Sequence, residues 1–524
     1  MDKTSYSLNY MPDNLTNKSS KNKIIVRNTI FLTVRMLFVL CISLYTSRVL
    51  LQVLGVEDFG IYNVIAGFVS MFAFLNTSMT NANQRFYSFE LGKSGTDGAN
   101  RVYNTSLAIQ LCLAVIIVVL TETFGLWYLY EKMVIPPDRL NAAFWVFQFS
   151  VFSMIFLLFQ IPYSACVVAH EKMDFVALAG IIDAILKLLI AITLPYVNAD
   201  QLIIYGSLIL LTSVVHWGLY FFYGRKHFVE LKFHRGIHKD LFKNMLSFSA
   251  WNFFGSFAFV MREQGVNMVL NLFFGPIVNA ARGIAYQVSG AIKGLVHNIT
   301  SASRPQMVQS YAEGNVDRTI NIMFSISKLV YLAMLCIALP VMLEVDYVLK
   351  IWLGDLVPQH TGNFIILVIV ASLIKTFHPM TSHIVHATGK IKSFQIVNGV
   401  IDLSVVPIAY LFCKLGYSPE SVFTLYIIIN IVIQIICWNI LQSLVDKFST
   451  MQYIWKVIFP LCIITLLSLL LPLYAHLNME SSFIRLCVVT VLSVLSTVVF
   501  TFYVGLNKTE RNVVVSYILK LHKK

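Results

Sequence analysis

One stretch of the chain gathers, on a single helical face, the groups that hold a hydrated anion. Arg282, Lys293, His297 and Arg304 fall at about 0°, 20°, 60° and 40° around a helix that turns about 100° per residue, with Ser289 and Thr300 between them. Arg282 and Lys293 stand roughly 16 Å apart along the axis at about 1.5 Å per residue. The surrounding residues are apolar enough to lie in a membrane, where a central cation costs roughly 2.5–3.5 kcal/mol on insertion scales. Lipid would reject this face, so it lines a cavity or meets buried acids. Guanidinium and ammonium groups can replace the water around phosphate oxygens, and hydroxyls or amides can do so for sugar hydroxyls.

The same chemistry recurs elsewhere. Arg35, Arg262 and Lys375 lie within other apolar stretches, while Asp183, Glu263 and Asp402 are the clear acids there. Asp183 and Lys187, four apart, read as a local ion pair. Arg262 and Glu263 point about 100° apart, so Arg262 is expected to face the cavity and Glu263 another helix. Glu263 and Asp402 are the candidate acids for coupling to a proton or cation. In "IKTFHPMTSHIVHATGK", Lys375, His378 and His386 share one side and Pro379 predicts a kink. That side fits a cationic cavity wall or ordinary polar packing. Asn63 and Ser70 form a neutral polar face on the second helix, suited to sugar hydroxyls or to packing between halves.

Other chemistries find no support. No acid or cysteine joins the histidines, and the eight cysteines show no C-x-x-C spacing, so no metal site and no cofactor are expected. "ELGKSGT" has Tyr87 where a phosphate-binding loop needs glycine, so no nucleotide-hydrolysing module is expected.

The elements that must position these groups are membrane helices. Of 524 residues, 57% are hydrophobic and 12% charged, and apolar runs of about 20 residues recur throughout. Such runs must be helical, because lipid offers the backbone no partners. The reading is an all-α polytopic membrane protein with about fourteen transmembrane helices, near 28–53, 60–84, 101–125, 141–169, 173–196, 200–223, 244–270, 276–303, 320–344, 363–388, 394–414, 419–442, 453–475 and 483–506. The lysine-rich start is not expected to be a cleaved signal.

Residues 69–95 and 288–314 align without gaps: Arg85 meets Arg304, Gly95 meets Gly314, and upstream Gly55 meets Gly275 with one insertion. Both segments are second helices of six-helix blocks, so the repeats are parallel. The organisation is an N-terminal tail (1–27), an N-lobe (28–223), a basic linker (224–243), a C-lobe (244–442), two further helices (453–506) and a basic tail (507–524). With a cytoplasmic N-terminus, about 26 of the 39 lysines and arginines fall on the cytoplasmic side. Both termini are then cytoplasmic, and the +13 net charge is a topology signal rather than a nucleic-acid footprint.

The strings "SRVLLQVLGVEDFGIYNVIAGFV" (47–69), "NANQRFYSFELGK" (81–93) and "FFGPIVNAARGIAYQV" (273–288) resemble bacterial polysaccharide-export flippases of the O-antigen (Wzx) type. That family belongs to the multidrug/oligosaccharidyl-lipid/polysaccharide (MOP) superfamily, with the lipid II flippase and MATE transporters. The resemblance implies a V-shaped pair of six-helix lobes. It implies movement of an undecaprenyl-pyrophosphate-linked oligosaccharide to the outer leaflet of the bacterial cytoplasmic membrane, by alternating access and without enzymatic chemistry. The lipid-linked oligosaccharide and membrane lipids are the implied partners. Polysaccharide polymerase machinery is a further candidate partner, and the chain is expected to work as a monomer. In this reading Arg35, Arg262, Arg282, Lys293 and Lys375 meet the pyrophosphate, and Asn63, Ser70, His297 and His378 form a secondary surface. A MATE-type drug exporter and a membrane polysaccharide polymerase or ligase are the alternatives.

Overall fold

A computed structural model describes residues 14–170, 172–234, 238–505 and 511; the side chains of 14–37, 248–255, 295–298 and scattered positions in the second and eighth helices are outside the description. Arg35, His297 and Arg304 fall among the latter.

The described residues are helical almost throughout. The first half comprises α1 (Asn14–Ser70), α2 (Ala73–Leu120), α3 (Leu126–Glu131), α4 (Leu140–Ala169), α5 (Met173–Thr193) and α6 (Gln201–His227). The second comprises α7 (Lys239–Phe274), α8 (Pro276–Ala312), α9 (Val316–Leu343), α10 (Val345–Leu353), α11 (Thr361–Lys375), α12 (His378–Thr388), α13 (Lys392–Lys414) and α14 (Glu420–Leu444). Then come α15 (Thr450–Tyr453), α16 (Phe459–Asn478) and α17 (Phe483–Phe500).

The expected loop between the first two crossings is absent. α1 runs on to Ser70, broken only at Gly55 (φ 75°, ψ 172°). α2 is interrupted in the same way at Gly95 (φ 62°). Gly275, between α7 and α8, adopts φ 75° and ψ −174°, and Gly314, after α8, has φ 76°. The glycines paired by the repeat thus hold matching left-handed φ values, which glycine adopts without steric cost. Counting these breaks, the described residues form about fourteen long helical segments, six in each half plus the α15–α16 and α17 hairpin.

Eleven helical stretches among the described residues are long and apolar enough to cross a membrane. At 36 and 37 residues, α7 and α8 are amply long but not among them. α7 carries Arg262, Glu263, Gln264 and Asn267 and the second turn of α8 carries Arg282, and that polarity marks the helices that face inward rather than to lipid. On α16 and α17, by contrast, Leu466, Leu470, Leu477 and Leu495 are exposed as a lipid-facing surface would be.

The bundle is tied at the end that bears Gly55 and Gly275. Arg139, at the start of α4, donates to Asp58 and to Asp200, the latter at 2.8 Å. Asp200 also caps α6 by accepting from the Leu202 and Ile203 amides. Partial burial works to raise the Asp200 carboxyl, but the Arg139 and backbone hydrogen bonds hold it below its ordinary value. Glu344, fully buried, accepts from Arg485 at 2.9 Å and pairs with His476 at 2.8 Å, fixing the last hairpin to the α9–α10 junction. Arg48 reaches the Ile351 carbonyl at 3.1 Å, and Trp352 donates to the Leu44 carbonyl at 2.7 Å.

Here too the halves touch. A Cβ on Gly60 would collide with the Pro276 carbonyl, and one on Gly283 would press on the Asn63 side chain. Gln287 donates to Ser43 across the same seam at 2.9 Å.

Candidate functional site

Between the halves lies a cavity of about 890 Å³. Helix α1 supplies Asn63, Gly67 and Ser70; α7 supplies Arg262, Glu263, Gln264 and Asn267; α8 supplies Asn279, Arg282, Tyr286 and Lys293. Lys375 closes α11 and Asn430 comes from α14. A side chamber of about 360 Å³ adjoins it, lined by His378, Asn398, Asp402 and Gln434; Arg262, Lys375 and Asn430 belong to both. Arg35, His297 and Arg304 lie outside the description and His386 lines neither space, while Arg262, Arg282, Lys293, Lys375, Asn63, Ser70, His378, Glu263 and Asp402 each line at least one of the two.

The charges are arranged in two tiers. Arg262, 4% exposed, places Nη1 2.7 Å from Asp402 and Nε 3.6 Å from Glu263. Its guanidinium also lies over the Tyr426 ring, 4.7 Å from the centroid. Arg282 donates to the Glu263 carbonyl at 2.6 Å, approaches its carboxylate at 3.5 Å and sits 4.1 Å from the Tyr286 ring centroid. These two arginines are thus engaged by acids and aromatic faces. Lys293 and Lys375 form the other tier: among the described residues neither has a carboxylate within 4.0 Å. Lys375 contacts the Phe259 ring at 5.0 Å, and Lys293 is exposed.

Glu263 departs from expectation. Its carboxylate does meet another helix, 3.5 Å from Arg282 of α8, but it also sits at the cavity wall rather than away from it, beside Arg262. Pro379 also acts differently from a simple kink. The helix stops at Lys375 and restarts at His378, placing Pro379 in the first turn of α12, where its missing N–H costs nothing. That break leaves Lys375 at a helix end, on the boundary between the chambers. Asp183 and Lys187 pair locally at 2.8 Å.

Several lining residues were missed. Asn430 and Gln434 are isolated amides four apart in an apolar helix, a spacing that signals a polar face. Asn430 donates to the Ala371 carbonyl at 3.1 Å and Gln434 to Thr381 at 3.2 Å. Asn279 donates to the Asn267 amide oxygen at 2.8 Å in the cavity wall. Opposite α8, the described residues of the first half that line the cavity, Asn63, Ala66, Gly67 and Ser70, are uncharged.

The fold has solved counterparts. Lipid II flippase MurJ, in an inward closed conformation, superposes with a TM-score of 0.72 at 14% identity, over 90% of this chain and 98% of that one. An inward-facing MATE multidrug resistance transporter of the MOP superfamily gives 0.65 at 16%, over 80% of this chain and all of the other. A MOP-superfamily transporter from Pyrococcus furiosus gives 0.57 at 14%, over 80% and 96%. No family model matches the sequence, and no curated protein matches it.

Proposed function

We propose that a chain folded as the MOP-superfamily transporters are uses this cavity to flip an undecaprenyl-pyrophosphate-linked oligosaccharide across the bacterial cytoplasmic membrane. One observation carries the reading: among the described residues, the two chambers hold four cations, Arg262, Arg282, Lys293 and Lys375, against two carboxylates, Glu263 and Asp402. An excess of cations over acids suits an anionic headgroup and disfavours the cationic drugs of a multidrug exporter. Lys293 and Lys375 would meet the pyrophosphate, while Arg262 and Arg282, held by their acids, shape the wall. The amides of Asn63, Gln264 and Asn267 suit sugar hydroxyls. The inward-facing MATE structure matches 80% of the chain, whereas the lipid II flippase structure matches 90%.

In this reading residues 28–223 and 244–442 are the two lobes, joined by the linker 224–243, with the α15–α17 segment appended. The Gly55 end faces outward and both termini face the cytoplasm. Alternating access opens and closes the seam between Gly60 and Pro276, and the chain performs no covalent chemistry.

The test is a deletion strain. Lipid-linked repeat units should accumulate in the inner leaflet, surface polysaccharide should fall, and drug susceptibility should stay unchanged. Unchanged glycan and unchanged topology of the lipid-linked intermediate refute the proposal. Altered drug susceptibility alone favours the exporter, and a change confined to glycan chain length favours a polymerase or ligase.

A further inference from the structure

At the opposite end of the first half, away from the cavity, three unlike side chains converge: Cys166 and His170, one turn apart at the end of α4, and Glu230 in the link between α6 and α7. Their donor atoms lie within 4.8 Å of one another. Cys166 Sγ is 3.6 Å from Glu230 Oε1, and His170 Nε2 is 3.2 Å from the same oxygen. Tetrahedral zinc, with bonds of about 2.3 Å to sulfur and about 2.0–2.1 Å to nitrogen and oxygen, sets its sulfur–oxygen and nitrogen–oxygen edges near 3.5 Å and 3.3 Å. The triad already has those edges.

The hydrogen bonding points the same way. His170 Nδ1 is 3.0 Å from the Cys166 carbonyl and can only donate there. In the neutral ring this leaves the Nε2 lone pair aimed at a carboxylate oxygen, a repulsive contact that a proton on Nε2 or a bound cation relieves. A histidine that gives its second N–H to a backbone carbonyl and presents the other nitrogen to the site is the usual second-shell pattern of a metal ligand. Glu230 is 4% exposed, so its charge is removed from water, and a buried carboxylate needs a paired or coordinating partner. Nearby, Tyr87 is fully buried and its hydroxyl has no hydrogen-bond partner among the described residues.

We propose that Cys166, His170 and Glu230 bind a divalent transition metal of the zinc type, with a fourth position for water. The consequence is mechanical. Asn100 already holds this link by donating to the Glu230 and Lys232 carbonyls at 2.6 and 2.7 Å. The metal would lock α4 to the segment that connects the two halves and limit how far one half swings from the other. Sequence spacing does not reveal the site, because C-x-x-x-H lacks the usual motif and the third ligand lies 60 residues further on.

The experiment uses the purified full-length chain in detergent, stripped with a chelator and titrated with Co²⁺, then Zn²⁺. One equivalent of Co²⁺ should bind with the visible bands of four-coordinate cobalt and a thiolate-to-cobalt charge-transfer band, and Zn²⁺ should abolish both. Cys166→Ser, which keeps the other seven cysteines, should lose the charge-transfer band. Glu230→Gln should weaken binding more than about tenfold, and it serves as the deciding variant if Cys166→Ser does not fold. A wild-type spectrum without charge transfer overturns the proposal and leaves a protonated His170–Glu230 pair. A band that survives Cys166→Ser, or Glu230→Gln binding as tightly as wild type, overturns it equally.

Discussion

Arg262 and Asp402 lie 140 residues apart in sequence and 2.7 Å apart in space. Asp402→Asn removes one carboxylate from a guanidinium that is 4% exposed. Breaking a buried pair from one side costs about 3–5 kcal/mol, because the remaining charge stays out of water. Glu263 at 3.6 Å and the Asn430 side-chain amide oxygen at 3.5 Å remain beside Arg262, so the low end, about 3 kcal/mol, is expected. Arg262→Met combined with Asp402→Leu removes both charges and should recover most of that loss. Unfolding of the detergent-solubilised protein, followed by tryptophan fluorescence against temperature and denaturant, measures this. Transport should be lost in both variants, so stability rather than activity separates them. If Asp402→Asn unfolds with wild type, or if the double variant is no more stable than Asp402→Asn, the pair does not carry the load assigned to it.

Lys293→Ala and Lys375→Ala should each weaken headgroup binding by roughly 10–100-fold, the worth of one charged hydrogen bond of about 1.5–3 kcal/mol. Normal flipping of a fluorescent lipid-linked substrate in proteoliposomes would remove either from the headgroup site. Arg282→Ala should abolish export at normal membrane abundance, while Arg282→Lys keeps part of it, because charge survives but the planar fork that engages Glu263 does not. Gly60→Val should hold the halves apart, because even one Cβ there meets the Pro276 carbonyl. Cysteines placed at Asn63 and Gly283 should cross-link readily with Gly60 present and poorly with Gly60→Val; equal cross-linking would disprove the seam. Asp200, whose folded carboxyl lies below its ordinary value, adds stability that is present above an unfolded pKa of about 3.9 and lost as pH falls through the folded value. Thermal stability between pH 5 and 3 should therefore drop more in wild type than in Asp200→Asn.

The helices were readable because lipid imposes length and apolarity on every crossing. The cationic face of α8 was readable because one helix carries it, and helical geometry turns spacing into direction. Asp183 with Lys187 is local for the same reason. What could not be read were the partners: nothing in the neighbourhood of Arg262 indicates Asp402, and nothing near Cys166 indicates Glu230. The orientation of Glu263 depended on Arg282 folding back from the next helix. Loop positions also misled, since a glycine with positive φ redirects a helix without ending it, and the gap expected after residue 53 became a single break at Gly55.

Among the described residues the two walls of the central cavity are not alike: α7, α8 and α11 bring the cations, and α1 faces them with Asn63, Gly67 and Ser70. Such a chamber has a permanent field directed from one lobe to the other. A cargo charged at one end and neutral at the other would be turned to a fixed heading, its anionic end towards the C-terminal lobe. Exchanging the α1 wall should then retune which neutral end is accepted while leaving the heading unaltered, so the two recognition tasks are separable by domain grafting.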